Sequence, residues 1–299
     1  MPPVYTQMAR SVNTIDKLKF MEKILLAIDA VNPDTAAIDF ACYIATLTHS
    51  KLTGVFLENL IADERPVMKK AHGSRYFDWE LDESSVEYME KRAIIDKSIL
   101  LFKQICDNRC VRYTVRHDRG RPAHEIIMES RFSDLVILDA QASFNKRYEG
   151  MPTEFVKDVL KDAECSVVIA PQSFDGIEEI IFTYNGKRSS VFAIKQFTHL
   201  FPEFADKKVV VLRVDEEGDW ADTDKQNLNE WMQYHYSMVG YEVMKGNTQD
   251  RLFDYLFKRK NVFVVMGAYG RSGLSRLFRA SQADLLIKTI TQPIFISHY

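Results

Sequence analysis

Lys23-Ile24-Leu25-Leu26-Ala27-Ile28-Asp29 and Glu179-Ile180-Ile181-Phe182-Thr183-Tyr184-Asn185 share one pattern: a short, largely apolar run that ends on Asp or Asn. Such a run reads as a buried strand. Each is followed by the same alternation of apolar runs and helically spaced stretches. After the first come a helix over 34–49, with Ile38, Ala41, Cys42 and Ala45 on its apolar face, and a strand over 51–57. A long helix over 85–107, a strand over 110–115, a helix over 122–131, a strand over 135–138, a helix over 153–163 and a strand over 166–170 complete the unit. After the second run, the spacing predicts elements over 189–200, 208–214, 223–239, 241–244, 249–257, 261–266, 280–289 and 293–297. Strands alternating with helices predict parallel sheets covered on both faces, so the fold class is α/β, two doubly wound five-stranded units in tandem.

The ends of the two units align without a gap: Asp134 falls on Asn261 and Cys165 on Gln292, at one constant separation. The first unit carries extra residues before its fourth strand, and the excess falls in 61–84. That segment is polar and irregular, with Arg65-Pro66, His72-Gly73 and Asp78-Trp79, and reads as an inserted loop or flap; Tyr76, Phe77 and Trp79 argue against a disordered excursion. The expected organisation is an N-terminal extension over 1–20, a first domain over 21–172, a linker near 172–176 and a second domain over 177–298.

Composition bounds the role. The 299 residues hold 39 Lys+Arg against 42 Asp+Glu, a net charge of −3, which gives no support to nucleic-acid binding. No apolar run approaches the roughly 18 residues of a membrane span, and the first twenty residues lack a signal-peptide core. Four cysteines do not make a disulfide framework in a chain of this length, so the expected setting is cytoplasmic. Cys106 and Cys110, four apart at the end of a predicted helix, read as structural or surface thiols before a regulated dithiol, and Cys42 and Cys165 read as core. His117 and His124 have no partners at zinc spacing, so no metal site is expected. No catalytic triad can be assigned, and Trp231, Tyr234, His235 and Tyr236 read as one packed helix.

Three of the 12 glycines fall within Met266-Gly267-Ala268-Tyr269-Gly270-Arg271-Ser272-Gly273, directly after the fourth strand of the second unit. Glycines there let backbone N–H groups approach an anion, and Ser281 lies near the start of the next predicted helix, whose N-terminus favours phosphate. On spacing alone, a flexible loop with solvated arginines is the commoner meaning of such a pattern. Neither the G-x-G-x-x-G turn nor the G-x-x-x-x-G-K-[ST] loop is present, which disfavours a dinucleotide site and a P-loop triphosphatase.

With Glu22-Lys23-Ile24-Leu25-Leu26-Ala27-Ile28-Asp29, Gly120-Arg121-Pro122-Ala123 and the glycine cluster in hand, the chain resembles a tandem universal stress protein over nearly its whole length. The resemblance implies a parallel sheet of strand order 3-2-1-4-5 in each unit. It also implies a nucleotide signature, G-x2-G-x9-G-[ST], which Gly267, Gly270 and Ser281 match, with Ala280 where the third glycine stands. Adenine-nucleotide-binding members carry an aspartate at the end of the first strand; Asp29 matches it in the first unit and Asn185 replaces it in the second. At the repeat separation, Gly267, Gly270, Ala280 and Ser281 fall on Ala140, Ser143, Thr153 and Glu154, and a glutamate repels phosphate. Ligands in such sheets bind where the first and fourth strands diverge, beyond their carboxyl ends. The expected site is therefore Asn185, Gly186, Gly267, Gly270, Arg271, Ala280 and Ser281, with Lys187 and Arg188 beside it.

The expected function is that of a cytoplasmic stress-response protein that binds ATP or a related adenine nucleotide, with or without Mg, in its second unit as a regulatory ligand. The reading assigns no catalytic residue and at most slow ATP hydrolysis. The alternative is a nucleotide-free dimeric scaffold acting through protein–protein contacts. Expected partners are the nucleotide, a second copy of the chain or an unidentified protein, with no nucleic acid and no membrane. The fifth strands, as open apolar edges, are expected to pair with each other.

Overall fold

The computed structural model describes residues 21–59, 65–71, 74–80, 83–145, 148–215, 220, 222–267 and 292–297. The first half runs β1 (Lys23–Asp29), α1 (Thr35–Leu47), β2 (Lys51–Asn59), β3 (Arg65–Ala71), β4 (Ser74–Glu80), α2 (Val86–Asn108), β5 (Tyr113–Gly120), α3 (Pro122–Ser130), β6 (Leu135–Asp139), α4 (Glu154–Asp162) and β7 (Ser166–Ala170). The second runs β8 (Glu179–Tyr184), α5 (Arg188–Leu200), β9 (Lys208–Asp215), α6 (Asp222–Gln233), β10 (Met238–Lys245), α7 (Thr248–Phe257), β11 (Val262–Gly267) and β12 (Ile294–Ser297).

Ten of these strands form one sheet, in the order β10-β9-β8-β11-β12-β7-β6-β1-β2-β5. Counted within each half, that is the expected 3-2-1-4-5. Every neighbouring pair is parallel except β12 and β7, which run antiparallel with Ile294 opposite Ile169, Phe295 opposite Val168 and Ile296 opposite Val167. The fifth strands thus meet at a central seam, and Ser166 Oγ and Ser297 Oγ lie 3.0 Å apart across it. Each covers the backbone edge that the other would expose.

β1 shows why the sheet is parallel and covered. Ile24 to Ile28 are all buried. Ile24, Leu26 and Ile28 point to the face packed by α1, while Leu25 and Ala27 point to the face packed by α4. The packing is continuous across the seam: Phe40 of α1 meets Phe263 of β11 at 6.2 Å between ring centroids. Asp34, Ser85 and Thr153 cap α1, α2 and α4 with their side-chain oxygens, accepting from the N–H groups of Ala36, Tyr88 and Val156. Gly54 of β2 makes room for α2: a Cβ there would stand 2.7 Å from Cζ of Phe102, whose ring is wedged between Phe56 and Tyr113.

Three regions differ from the sequence reading. β5 covers 113–120 rather than 110–115. Cys110 turns the chain at φ +54°, and Arg116, His117, Asp118 and Arg119 stay paired with β2 as far as Gly120 opposite Asn59. This is an edge strand with polar side chains, so it lacks the apolar run that marks its neighbours. The aromatic stretch is not one helix: α6 stops at Gln233, and Tyr236 folds inward to bond Thr198 at 2.7 Å and stack edge-on to Phe182. β10 then starts at Met238, inside the predicted helix. The insertion is a hairpin, with β3 and β4 antiparallel and Val67 opposite Asp78; Pro66 in one strand and apolar residues that do not alternate with polar ones hide it from periodicity. The N-terminal extension over 1–20 and the predicted helix over 280–289 lie outside the described residues. Among the described residues no helix is long and apolar enough to cross a membrane.

Candidate functional site

The second half brings Asn185, Gly186 and Gly267 to the carboxyl ends of adjacent parallel strands, β8 and β11. Thr183 Oγ1 donates to the Val265 carbonyl at 3.1 Å and ties the two ends together. Here the connections from the first and fourth strands leave the sheet. Asn185 Oδ1 accepts from the Lys187 N–H at 3.0 Å, closing a turn around Gly186 at φ +73°. Asn suits that turn without needing a charge. Gly270, Arg271, Ala280 and Ser281 lie outside the described residues.

Gly267 has a structural reason of its own. A Cβ at this position would lie 2.5 Å from C and O of Ser189 and 2.7 Å from N of Ser190. These are backbone atoms of the first turn of α5. The glycine therefore lets α5 start against the end of β11. Its counterpart in the first half is Ala140, which is buried with its methyl group in place.

Around this point the structure adds residues that the sequence reading did not single out. Arg213, on β9, reaches toward Gly186; a Cβ on Gly186 would stand 3.3 Å from its Nη1. Arg213 pairs with Asp215 at 3.2 Å and lies over the ring of Trp220 at 5.8 Å. Tyr184 stacks on Trp220 at 5.2 Å and donates its hydroxyl to the carboxylate of Asp224, 2.7 Å from each oxygen. Burial, and then the Asp224 carboxylate, push the Tyr184 phenol up, so it stays a neutral donor. An arginine and a tyrosine at the ends of otherwise apolar strands were the available signal.

The equivalent corner of the first half is acidic. Asp29 Oδ1 accepts from the N–H groups of Val31 and Asn32 at 2.9 and 3.2 Å, the same turn that Asn185 closes. Burial pushes its carboxyl up, partly offset by those two bonds and by Lys91. Asp139, at the end of β6, is pushed up to about 6 by burial, with the charges of Asp34 and Asp29 adding to the effect and the Gln141 N–H opposing it. Glu154, which aligns with Ser281 at the repeat separation in sequence, opens α4 and is exposed. A cavity of about 500 Å³ lies between α3 and α4, lined by Asn59, Phe144 and Phe155, by the carboxylates of Glu154 and Asp158, and by Arg121 and His124. The carboxylates of Asp29, Asp34 and Asp139 around the strand ends disfavour a phosphate ligand there.

Asp139 carries a pH prediction. Its folded pKa is raised above the unfolded value of about 3.9, so the folded state keeps the proton that the unfolded chain releases. The resulting stability is full below about pH 4 and is lost as pH rises to about 6. Asp139→Asn preserves the acceptor for Gln141 N–H and removes the buried charge. It is expected to raise stability at pH 7 by about 1–2 kcal/mol and to flatten the dependence between pH 4 and 6. Urea unfolding at four pH values checks this.

The histidines divide. His117 bonds Glu58, whose buried carboxylate also pairs with Lys91 at 3.2 Å, while His124 is exposed at the cavity rim. The two do not share a centre.

No family model matches the sequence, and no curated protein does. Solved structures do match. A universal stress protein from Archaeoglobus fulgidus DSM 4304 superposes with a TM-score of 0.69 at 15% identity, over 94% of this chain and 98% of that one. A functionally unknown protein from Pseudomonas aeruginosa PAO1 superposes with a TM-score of 0.57, also at 15% identity, over 94% of each chain. Strand order and end-to-end superposition agree: the chain has the α/β fold of universal stress proteins, laid out twice in one sheet.

Proposed function

We propose that the protein is a cytoplasmic stress-response protein that binds one adenine nucleotide, ATP or a relative, in its second half as a regulatory ligand. One observation supports this most. Asn185-Gly186 and Gly267 meet at the switch point of the second half, with the Arg213 guanidinium beside Gly186. The corresponding corner of the first half holds Asp29, Asp34 and Asp139. The second corner sets Arg213 against Asp215 and Asp224, while the first gathers three carboxylates, so the second is the less acidic of the two for a phosphate-bearing ligand. In this reading Gly270 and Ser281 approach the phosphates, Arg271 adds positive charge, and Asn185 bonds a ribose hydroxyl or base edge.

The second reading, a nucleotide-free scaffold, has its own observation: Gly267 is already accounted for by the backbone of Ser189. Nucleotide released from the purified, denatured protein and resolved by anion exchange separates the two. Under the first reading, isothermal titration shows one site per chain. Gly270→Val abolishes binding, since a branched side chain blocks the phosphate path. Ser281→Ala weakens it by about 1 kcal/mol, and Asp29→Ala leaves it unchanged. Loss of binding with Asp29→Ala but not Gly270→Val would move the site to the first half, and no binding by the intact protein leaves the scaffold.

A further inference from the structure

Cys42 on α1 and Cys106 on α2 are both fully buried, and their sulfurs lie 3.7 Å apart. Sequence spacing sets Cys106 beside Cys110 instead. The structure parts them: Cys106 points into the core, while Cys110 lies past the end of α2 and is exposed. One helical turn from each member of the buried pair sit Asp39 and Arg109, joined at 2.8 Å and half exposed. The α1–α2 contact thus carries an ion pair at the surface and two thiols directly beneath it. The two thiols share one S–H···S contact, in which either sulfur can donate, and the paired charges of Asp39 and Arg109 act on Cys42 in opposite directions. Whichever sulfur ionises is the nucleophile; with Cys42 in that role, Cys106 is the resolving thiol.

We propose that Cys42 and Cys106 are an oxidisable pair that a hydroperoxide converts to a disulfide linking α1 to α2. Sulfurs 3.7 Å apart must close to about 2.05 Å, the remaining distance being covered by side-chain rotation or by approach of the helices. The Cys42 thiolate attacks one peroxide oxygen; the O–O bond breaks, the departing hydroxide takes up a proton as water, and Cys42 becomes a sulfenic acid. The Cys106 sulfur then attacks the Cys42 sulfur. The S–O bond breaks, and hydroxide leaves with the Cys106 proton as a second water. Two thiols lose two electrons and two protons, and hydrogen peroxide becomes two waters. The reagent enters by local opening at the Asp39–Arg109 pair, the exposed end of the contact. A small dithiol reverses the step by exchange.

The link has a mechanical target. α2 has 23 residues, of which Ile95, Ser98, Phe102 and Cys106 are buried. It follows the β3–β4 hairpin in the chain and is held to the sheet along that one face. A disulfide at Cys106 fixes its carboxyl-terminal end to α1 and closes the intervening chain into a loop. None of this depends on whether the second half binds a nucleotide.

The test uses the full chain, reduced and then exposed to hydrogen peroxide. Remaining thiols are alkylated in denaturant, and the digest is read by mass spectrometry. The expected product is a peptide pair joined between Cys42 and Cys106 that dithiothreitol separates, formed equally in Cys110→Ser and absent in Cys42→Ser. The melting temperature of the oxidised wild type is expected to rise by about 5 °C or more. Recovery of Cys42 and Cys106 fully alkylated while Cys110 is oxidised would overturn the proposal, as would a link joining Cys106 to Cys110. The peptide map of the wild type decides this even where a cysteine variant folds poorly.

Discussion

Gly267→Ala is expected to lower stability by about 3 kcal/mol, or roughly 6–10 °C in melting temperature for a chain of this size. The added methyl meets C and O of Ser189 at 2.5 Å, closer than any real Cβ contact, and these atoms belong to the backbone. A side chain could rotate away; the first turn of α5 must move as a body. That turn is held by the bond from Ser190 N–H to the Lys187 carbonyl and by the buried side chain of Ser190, so the shift is resisted from both sides. The matched control is Ala140→Gly at the same place in the first half, where loss of one buried methyl is expected to cost about 1 kcal/mol or less. Differential scanning calorimetry of the two variants compares them. An unchanged melting temperature for Gly267→Ala together with lost nucleotide binding would mean that the glycine serves a ligand and not α5.

Phe197→Ala is expected to cost still more, about 3–5 kcal/mol. Phe197 lies on α5 and is fully buried. Its ring is 5.6 Å from Phe182 on β8, 5.1 Å from Phe263 on β11 and 5.3 Å from Phe295 on β12, all edge-on. Phe201, just past the end of the same helix, lies 4.8 Å away. One ring therefore fastens α5 to three strands, including the strand that forms the seam. Removing it leaves a void walled by other rings, which cannot collapse without breaking their own contacts. Phe197→Leu is expected to fall in between, at about 1–2 kcal/mol. Guanidinium unfolding gives both values; a Phe197→Ala loss below about 1 kcal/mol would show that the cluster repacks.

The sheet was legible because its central strands are buried on both faces. Runs such as Leu135-Val136-Ile137-Leu138 and Val262-Phe263-Val264-Val265 are too short for helices and too apolar for a surface. Polar edges were less legible. β5 and β10 alternate or turn charged, since their outer sides face water, and their boundaries drifted for that reason. The hairpin was misread as irregular because its strands follow neither apolar periodicity. At the candidate site, Asn185, Gly186 and Gly267 were found by position and residue type. They do share a corner in space, yet the reason for Gly267 was invisible, because it depends on how closely α5 approaches a strand far away in the chain. The thiol pair was missed for the same cause: Cys42 and Cys106 are neighbours only after α1 and α2 pack.

The antiparallel seam between β7 and β12 sets the strand order as a palindrome. The carboxyl ends of the parallel strands therefore emerge on opposite borders of the sheet in the two halves. Two molecules joined this way would separate on dilution; here the partner is tethered, and the joint is independent of protein concentration. Such tethering changes what each half is free to become. A half that keeps its edge strand still shields its twin, whatever happens at its far border.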